Sequence, residues 1–259
     1  MKVIIVCGGK GTRLREETEF KPKPMVEIGG VPILVHIMQH YSFYGHREFF
    51  LCLGYKGHVI KEYFLNLSKY TSDFKIDLST GDIQLLSNTE KYPFKINFIE
   101  TGEDTPTGDR VKKAYRYIED KEILLTYGDG VSDININKSI LFHHKQQARF
   151  GSLVTISGVR PSSKYGKIYS SKNNIIEKFD EKPKLNDYIN GGFMVIDRRF
   201  VRNIEEGDMI EDVLVKLTKK RLLSRYKHDG FWHSMDTIKD VIDLNKLWLS
   251  DRPWAIWDK

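Results

Sequence analysis

The 259 residues carry 41 Lys and Arg against 35 Asp and Glu, a net charge of +6, with 40% hydrophobic residues, a composition that supports one large α/β domain with a sizeable core. The basic residues are scattered among acidic ones, which argues against a dedicated nucleic-acid stripe and leaves an anionic ligand open. Two cysteines, Cys7 and Cys52, exclude a disulfide framework or a Cys-rich zinc site, and the lack of a secretory core or of roughly 18 consecutive apolar residues gives a cytoplasmic, non-membrane expectation.

In chain order, "KVIIVC" is short, β-branched and stopped by Gly8, the pattern of a buried parallel strand. "VPILVHIMQHYSFYG" has helical spacing and ends in glycine. "EFFLCLGY" and "KGHVIKEYFLNLS" repeat the strand–helix pair, so a doubly wound sheet is predicted. "DFKIDLSTGDIQLLS" is a predicted hairpin. "KINFIET" returns to the sheet and runs into the polar loop "GEDTPTGD", followed by a helix over "RVKKAYRYIED". "EILLTYGDG" reads as a strand, "INKSILFHHKQQAR" as a helix and "GSLVTISGV" as a strand. Residues 161–190 are polar and broken, with short strands at "YGKIYSS" and "NIIEKFDE". After the strand "GGFMVID", the last fifty residues read as helical, interrupted by "GFWHSMDT". Both cysteines fall inside strands and are expected as buried free thiols.

The chemistry concentrates at residues 4–25, "IIVCGGKGTRLREETEFKPKPM". A strand feeding a glycine-rich turn presents backbone N–H groups at the carboxyl edge of the sheet. Gly8, Gly9 and Gly11 permit close approach to phosphate oxygens or a positive φ. Thr12 adds a hydroxyl and Arg13 a planar cationic fork. The P-loop pattern fails because Lys10 precedes Gly11, and the dinucleotide pattern fails at Leu14. A lone glycine cluster is more often a plain tight turn. "KPKP" adds fixed charge, because a residue before proline is pushed to extended geometry. Lys21 and Lys23 share a face if that segment is β-like and diverge if it is polyproline II.

Gly-Gly-x-Gly-Thr-Arg-Leu followed by Pro-Lys-Pro-Met resembles the signature of the sugar-1-phosphate nucleotidylyltransferases. "GYKGHVIKEYF", "TGDR", "YGDGVSD", "EKPK", "INGGF" and "GFWHSMDT" extend the resemblance along nearly the whole chain, and within the family it is nearest to members that act on CTP and glucose 1-phosphate. The alternatives are UTP, dTTP or another sugar phosphate, or a non-catalytic nucleotide-sugar sensor on the same fold. Cys7 and Lys10 stand where the family usually has alanine and a small or apolar residue. The resemblance implies a Rossmann-like α/β fold with a mixed, mostly parallel central sheet flanked by helices and an inserted β-rich sugar-binding region. It divides a single domain into a nucleotide part at 1–135, a sugar-phosphate part at 136–235 and a helical tail at 236–259. It also implies Mg2+, a homo-oligomer (trimer or hexamer), and a CDP-glucose product of the kind used in surface polysaccharide.

By this resemblance Gly8, Gly9, Gly11, Thr12, Thr107, Gly108, Arg110 and Gly128 hold the nucleotide. Arg13 clamps the departing pyrophosphate, and Lys23 is the catalytic cation at the α-phosphate. Asp129 and Asp236 are the implied metal ligands, and Asp129 also enters the catalytic set. Each would otherwise be a turn residue or helix cap, and Asp236 could do both. Tyr165, Gly166, Glu181, Lys182, Asn190, Gly191 and Gly192 match sugar-side positions, with Lys182 on the phosphate and Glu181 and Asn190 on hydroxyls. Asp133 is expected to cap the following helix. His36 and His40 have a zinc spacing but no third ligand nearby, and His143 and His144 read as structural. Trp232, Trp248, Trp254 and Trp257 read as packing of the tail onto the body or as a subunit interface.

Overall fold

A computed structural model describes residues 1–87, 92–163 and 165–258. The frame is a seven-stranded sheet built from β1 (Val3–Val6), β2 (Glu48–Leu53), β3 (Lys95–Glu100), β4 (Glu122–Tyr127), β5 (Val154–Val159), β6 (Ile189–Asp197) and β7 (Leu223–His228), in the order β7-β5-β6-β4-β1-β2-β3. All pairings are parallel except those of β6, which runs antiparallel to β4 and β5. Between these strands, besides the one-turn helix Arg15–Thr18, lie α1 (Ile33–Phe43), α2 (Gly57–Thr71), α3 (Thr107–Tyr115), α4 (Ile136–Phe150) and α5 (Ile210–Lys219), and α6 (Ile238–Trp248) follows β7.

The period-two alternation of a strand sorts its side chains into two cores. Val3, Ile5, Phe49, Leu51, Leu124 and Val195 face α1, where Leu34, Ile37, Met38 and Tyr41 meet them. Ile4, Val6, Phe50, Cys52, Leu125 and Met194 face the other way, onto Val111 and Ala114 of α3 and Val213 and Leu217 of α5. Burial on both faces is what makes "VIIV" apolar at every position. Cys7 and Cys52 are buried free thiols.

Two small hairpins stand off the frame, Phe74–Ile76 with Ile83–Leu85 and Lys167–Ser170 with Ile176–Asp180. Among the described residues no helix is long and apolar enough to cross a membrane.

Three expectations need correction. The tail is not helical throughout: "LSRYKH" is edge strand β7, paired in parallel with β5. α3 begins at Thr107, not after the "TGD", because Pro106 stands in the N-cap position and Thr107 opens the first turn. Asp133 does not cap α4. Asn135 does, accepting from Lys138 N, while Asp133 accepts from Phe231 N at 2.7 Å and pairs with His228 at 2.8 Å.

Candidate active site

The loops after β1 and β4 leave the same edge of the sheet side by side, because those strands are parallel neighbours. The chain then departs in opposite directions, toward β2 from β1 and toward β6 from β4. That reversal opens a crevice at the strands' carboxyl ends, the usual ligand site of an open α/β sheet.

The glycine turn occupies one wall. Gly11 has φ of +60°, a backbone state that disfavours a side chain. Gly9 has open space where a Cβ would stand. Gly8 serves a different purpose, since a Cβ there would lie 2.0 Å from Nη1 of Arg110. Thr12 and Arg13 begin a 3-10 turn, Thr12–Leu14, with both side chains exposed. Lys10, Thr12, Thr18, Glu19 and Tyr55 line an adjoining cavity of about 310 Å³.

Arg110 lies under this turn rather than in the crevice. It is 3% exposed. Its guanidinium donates to the carbonyls of Leu53, Gly102, Gly8 and Glu103 at 2.7–3.1 Å and to Thr101 Oγ1 at 2.5 Å. Both terminal nitrogens of the guanidinium are therefore engaged by the end of β2 and the loops around it. What reaches a ligand from Arg110 is a fixed positive charge beneath the glycine turn, in a setting where water screens little. Gly108 is likewise packed beneath, its N–H donating to Asp208 O at 3.0 Å, and Thr107 Oγ1 accepts from Ile210 N at 2.9 Å. Both tie α3 to α5 instead of facing the crevice.

Lys23 lies at the centre. Its Nζ donates to Asp129 Oδ2 at 2.7 Å and to Asp236 Oδ1 at 2.8 Å. The three side chains come from the "KPKP" segment, the end of β4 and the segment before α6. Lys23 is not extended, as its proline neighbours suggested. It opens the 3-10 turn Lys23–Met25 after extended Pro22. Burial alone would lower the ammonium pKa, but Asp129 and then Asp236 outweigh it, and the value is raised. Burial similarly opposes ionisation of Asp236, yet the Lys23 bond, Ser234 and Arg13 hold its pKa below the ordinary value. Lys21 points elsewhere, toward Glu17 at 3.6 Å and Glu27 at 3.9 Å. Asp236 is not the cap of α6, a role filled by Thr237. Gly128 fits closely over Pro24 and the Val6 carbonyl.

Two carboxylates that share one ammonium also form a site of hard oxygen donors. That set fits Mg2+, which takes one or two carboxylates and completes an octahedron with phosphate oxygens and water. Among the described residues no group of three His, Cys, Asp or Glu forms a fuller cage.

On the far side of Asp129, a recess of about 50 Å³ is lined by Tyr127, Asn190, Gly191, Gly192, Trp232 and Ser234, among others. Gly192 has φ of +80° and lies against the Tyr127 ring. Trp232 donates its indole N–H to Gly191 O at 2.8 Å, so this tryptophan belongs to the recess and not to tail packing. Trp248, Trp254 and Trp257 do gather around His36. Tyr165, Gly166, Glu181 and Lys182 are all exposed at the base of the outer hairpin and do not line the recess.

Sequence reasoning passed over Tyr55, Tyr127 and Glu211 and assigned Trp232 to tail packing or an interface. Tyr55, Tyr127 and Trp232 stand inside stretches already singled out, "GYKG", "YGDG" and "GFWHSMDT". Glu211 bonds Tyr127 across 84 positions. His36 accepts from Trp254 Nε1 at 3.3 Å and bonds the Ile28 carbonyl at 2.9 Å. His143 bonds Thr155 and His144 bonds Glu122.

Comparison with known proteins agrees with this geometry. Residues 2–250 match the family described as Nucleotidyl transferase. A probable glucose-1-phosphate cytidylyltransferase of Bacillus subtilis (strain 168) is 41% identical, over 99% of this chain and 100% of its own length. The glucose-1-phosphate cytidylyltransferase of Salmonella typhimurium is 38% identical over the full length of both. In fold, the crystal structure of HddC from Yersinia pseudotuberculosis aligns with a TM-score of 0.66 at 22% identity, covering 95% of this chain and 99% of that one. The crevice, its cations and a match that runs from one end to the other lead to one conclusion: this chain belongs to the nucleotidyl transferase family and is a nucleotidyltransferase enzyme.

Proposed function

We propose that the protein transfers the cytidylyl group of CTP to α-D-glucose 1-phosphate, giving CDP-glucose and pyrophosphate. The observation that carries this reading is the Lys23 ammonium held between Asp129 and Asp236 at the carboxyl edge of the sheet, in a chain whose full-length relatives bear that activity in their names.

A phosphate oxygen of the sugar phosphate attacks the α-phosphorus in line. The new O–P bond forms as the bond from the α-phosphorus to the bridging β-phosphate oxygen breaks, and the electron pair leaves with pyrophosphate. No protein nucleophile takes part, so the protein acts by positioning and charge. The turn at Gly9, Gly11 and Thr12 receives the triphosphate, with Arg13 toward the leaving pyrophosphate. Lys23 faces the α-phosphate. Asn190 and Gly192 flank the sugar in the recess. Mg2+ held by Asp129 and Asp236 supplies charge neutralisation when bound.

The same reading makes the protein a cytoplasmic homo-oligomer, a trimer or hexamer. The test is pyrophosphate release from glucose 1-phosphate with CTP, UTP and dTTP in parallel. CTP is expected to react fastest. No release with CTP overturns the assignment, and a faster reaction with UTP or dTTP replaces its nucleotide.

A further inference from the structure

One carboxylate at the sugar recess has no place in the reaction above. Glu211 is the second residue of α5, exposed, and its Oε1 accepts from the Tyr127 hydroxyl at 2.5 Å. The start of α5 is anchored to the start of α3. Ile210 N donates to Thr107 Oγ1 at 2.9 Å, Gly108 N to Asp208 O at 3.0 Å, and Gly207 N to Asp109 Oδ2 at 2.8 Å. The Tyr127 ring in turn lies against Gly192, and the residue precedes the Gly128-Asp129 turn.

The hydrogen-bond polarity of this group can be read from its ends. A carboxylate only accepts, so the single Tyr127 hydroxyl proton points to Glu211. The phenolic oxygen is then left as an acceptor on the wall of the recess that Tyr127 shares with Asn190. At the other end Gly192 N donates to Asn190 Oδ1 at 2.9 Å. The Asn190 oxygen is therefore the atom turned to Gly192, and its NH2 is turned to Tyr127 and the recess. An asparagine amide has two orientations of similar shape but opposite polarity. Here both ends of the chain select the same one.

We propose that Glu211 is a positioning residue for the sugar subsite: through Tyr127 it locks the Asn190 amide with its NH2 toward the recess, as a hydrogen-bond donor to a sugar hydroxyl. The proposal rests on the glucose 1-phosphate reading above. It adds a residue from α5 to a subsite otherwise built from β4, β6 and the segment before α6. Glu211 need not touch the sugar, and its influence falls on the sugar phosphate rather than the nucleotide.

The experiment compares kcat and the two KM values in wild type, Glu211→Ala, Glu211→Gln, Tyr127→Phe and the Glu211→Ala/Tyr127→Phe double variant. Glu211→Ala and Tyr127→Phe are each expected to raise KM for glucose 1-phosphate about tenfold, on the order of one charge-assisted hydrogen bond, with KM for CTP within about twofold. The double variant is expected to be no worse than either single one, because both cut the same chain. Glu211→Gln keeps an oxygen acceptor and should stay within about threefold of wild type by the same scale. Tyr127→Phe keeps the ring over Gly192, so it reports even if the alanine variant folds poorly. A purely structural role for Glu211, as an acidic residue in the first turn of a helix, would lower the melting temperature and leave the KM ratio alone. An unchanged KM for glucose 1-phosphate in Tyr127→Phe, equal shifts in both KM values, or additive losses in the double variant would overturn the relay. A wild type inactive with CTP and glucose 1-phosphate would instead overturn the reading beneath it, and the relay with it.

Discussion

Lys23 bonded to both Asp129 and Asp236 is the smallest unit that accounts for the proposed chemistry. The lysine carries a charge that burial disfavours and two carboxylates restore. Replacing it by methionine leaves those carboxylates facing each other without a counter-charge. Lys23→Met is therefore expected to lower kcat by roughly 10²–10³, the usual cost of losing one charge-stabilising donor, while the far-UV spectrum stays native. Asp236→Asn should raise the magnesium concentration needed for half-maximal turnover. Near-normal rates in both variants would remove the site. Gly8 makes a separate point. Gly8→Ala would drive a methyl into the Arg110 guanidinium, and overpacking of this kind costs about 1–3 kcal/mol. A lowered urea midpoint together with weakened CTP binding is the expected result, because Arg110 also holds the loops after β2 and β3.

At the scale of elements, α1 carries a histidine whose burial has a consequence for stability. His40 is 3% exposed, packed against Tyr44 and Phe193, and burial pushes its pKa down to about 4, with the Ile134 backbone and Asp133 opposing only in part. A folded-state value below the unfolded one means that protonation favours the unfolded chain. Stability is thus fully present above pH 6.5 and falls as pH drops toward 4. The share from His40 should amount to about 2 kcal/mol between pH 7 and pH 5. Urea unfolding at the two pH values measures it, and His40→Phe, which keeps a ring without a titratable nitrogen, should flatten the slope by that amount. An equal slope in the variant would assign the effect elsewhere, His46 being the next candidate because its pKa is also lowered to about 4.

For the whole molecule, the two hairpins leave apolar side chains in water. Phe74, Ile76, Ile83 and Leu85 are exposed on one, and Ile168, Ile176 and Phe179 on the other. Surfaces of this kind are more often covered than left open, and they agree with the oligomer proposed above. Light scattering should return a mass of three or six chains, and a monomer would count against the proposal. Lys substitutions at Ile76 and Ile83 would test the first hairpin's part by lowering that mass while the sheet stays folded.

Local pattern was enough to identify the sheet, because "VIIV", "EFFLCL" and "EILLTY" are apolar in the way that burial on both faces demands. The glycine turn and "KPKP" were also legible, since glycine and proline act on their own backbone. β7 was not: "LSRYKH" acquires its conformation from pairing with β5, a partner that no local spacing reveals. The same limit applies to Arg110, whose guanidinium bonds the carbonyls of Leu53, Gly102, Gly8 and Glu103, and to Glu211, which meets Tyr127 across 84 positions. Residue type sets which chemistry a side chain can perform. Whether its donors and charge are left for a ligand or taken up by the protein depends on long-range contacts, and those exist only once the chain has closed on itself.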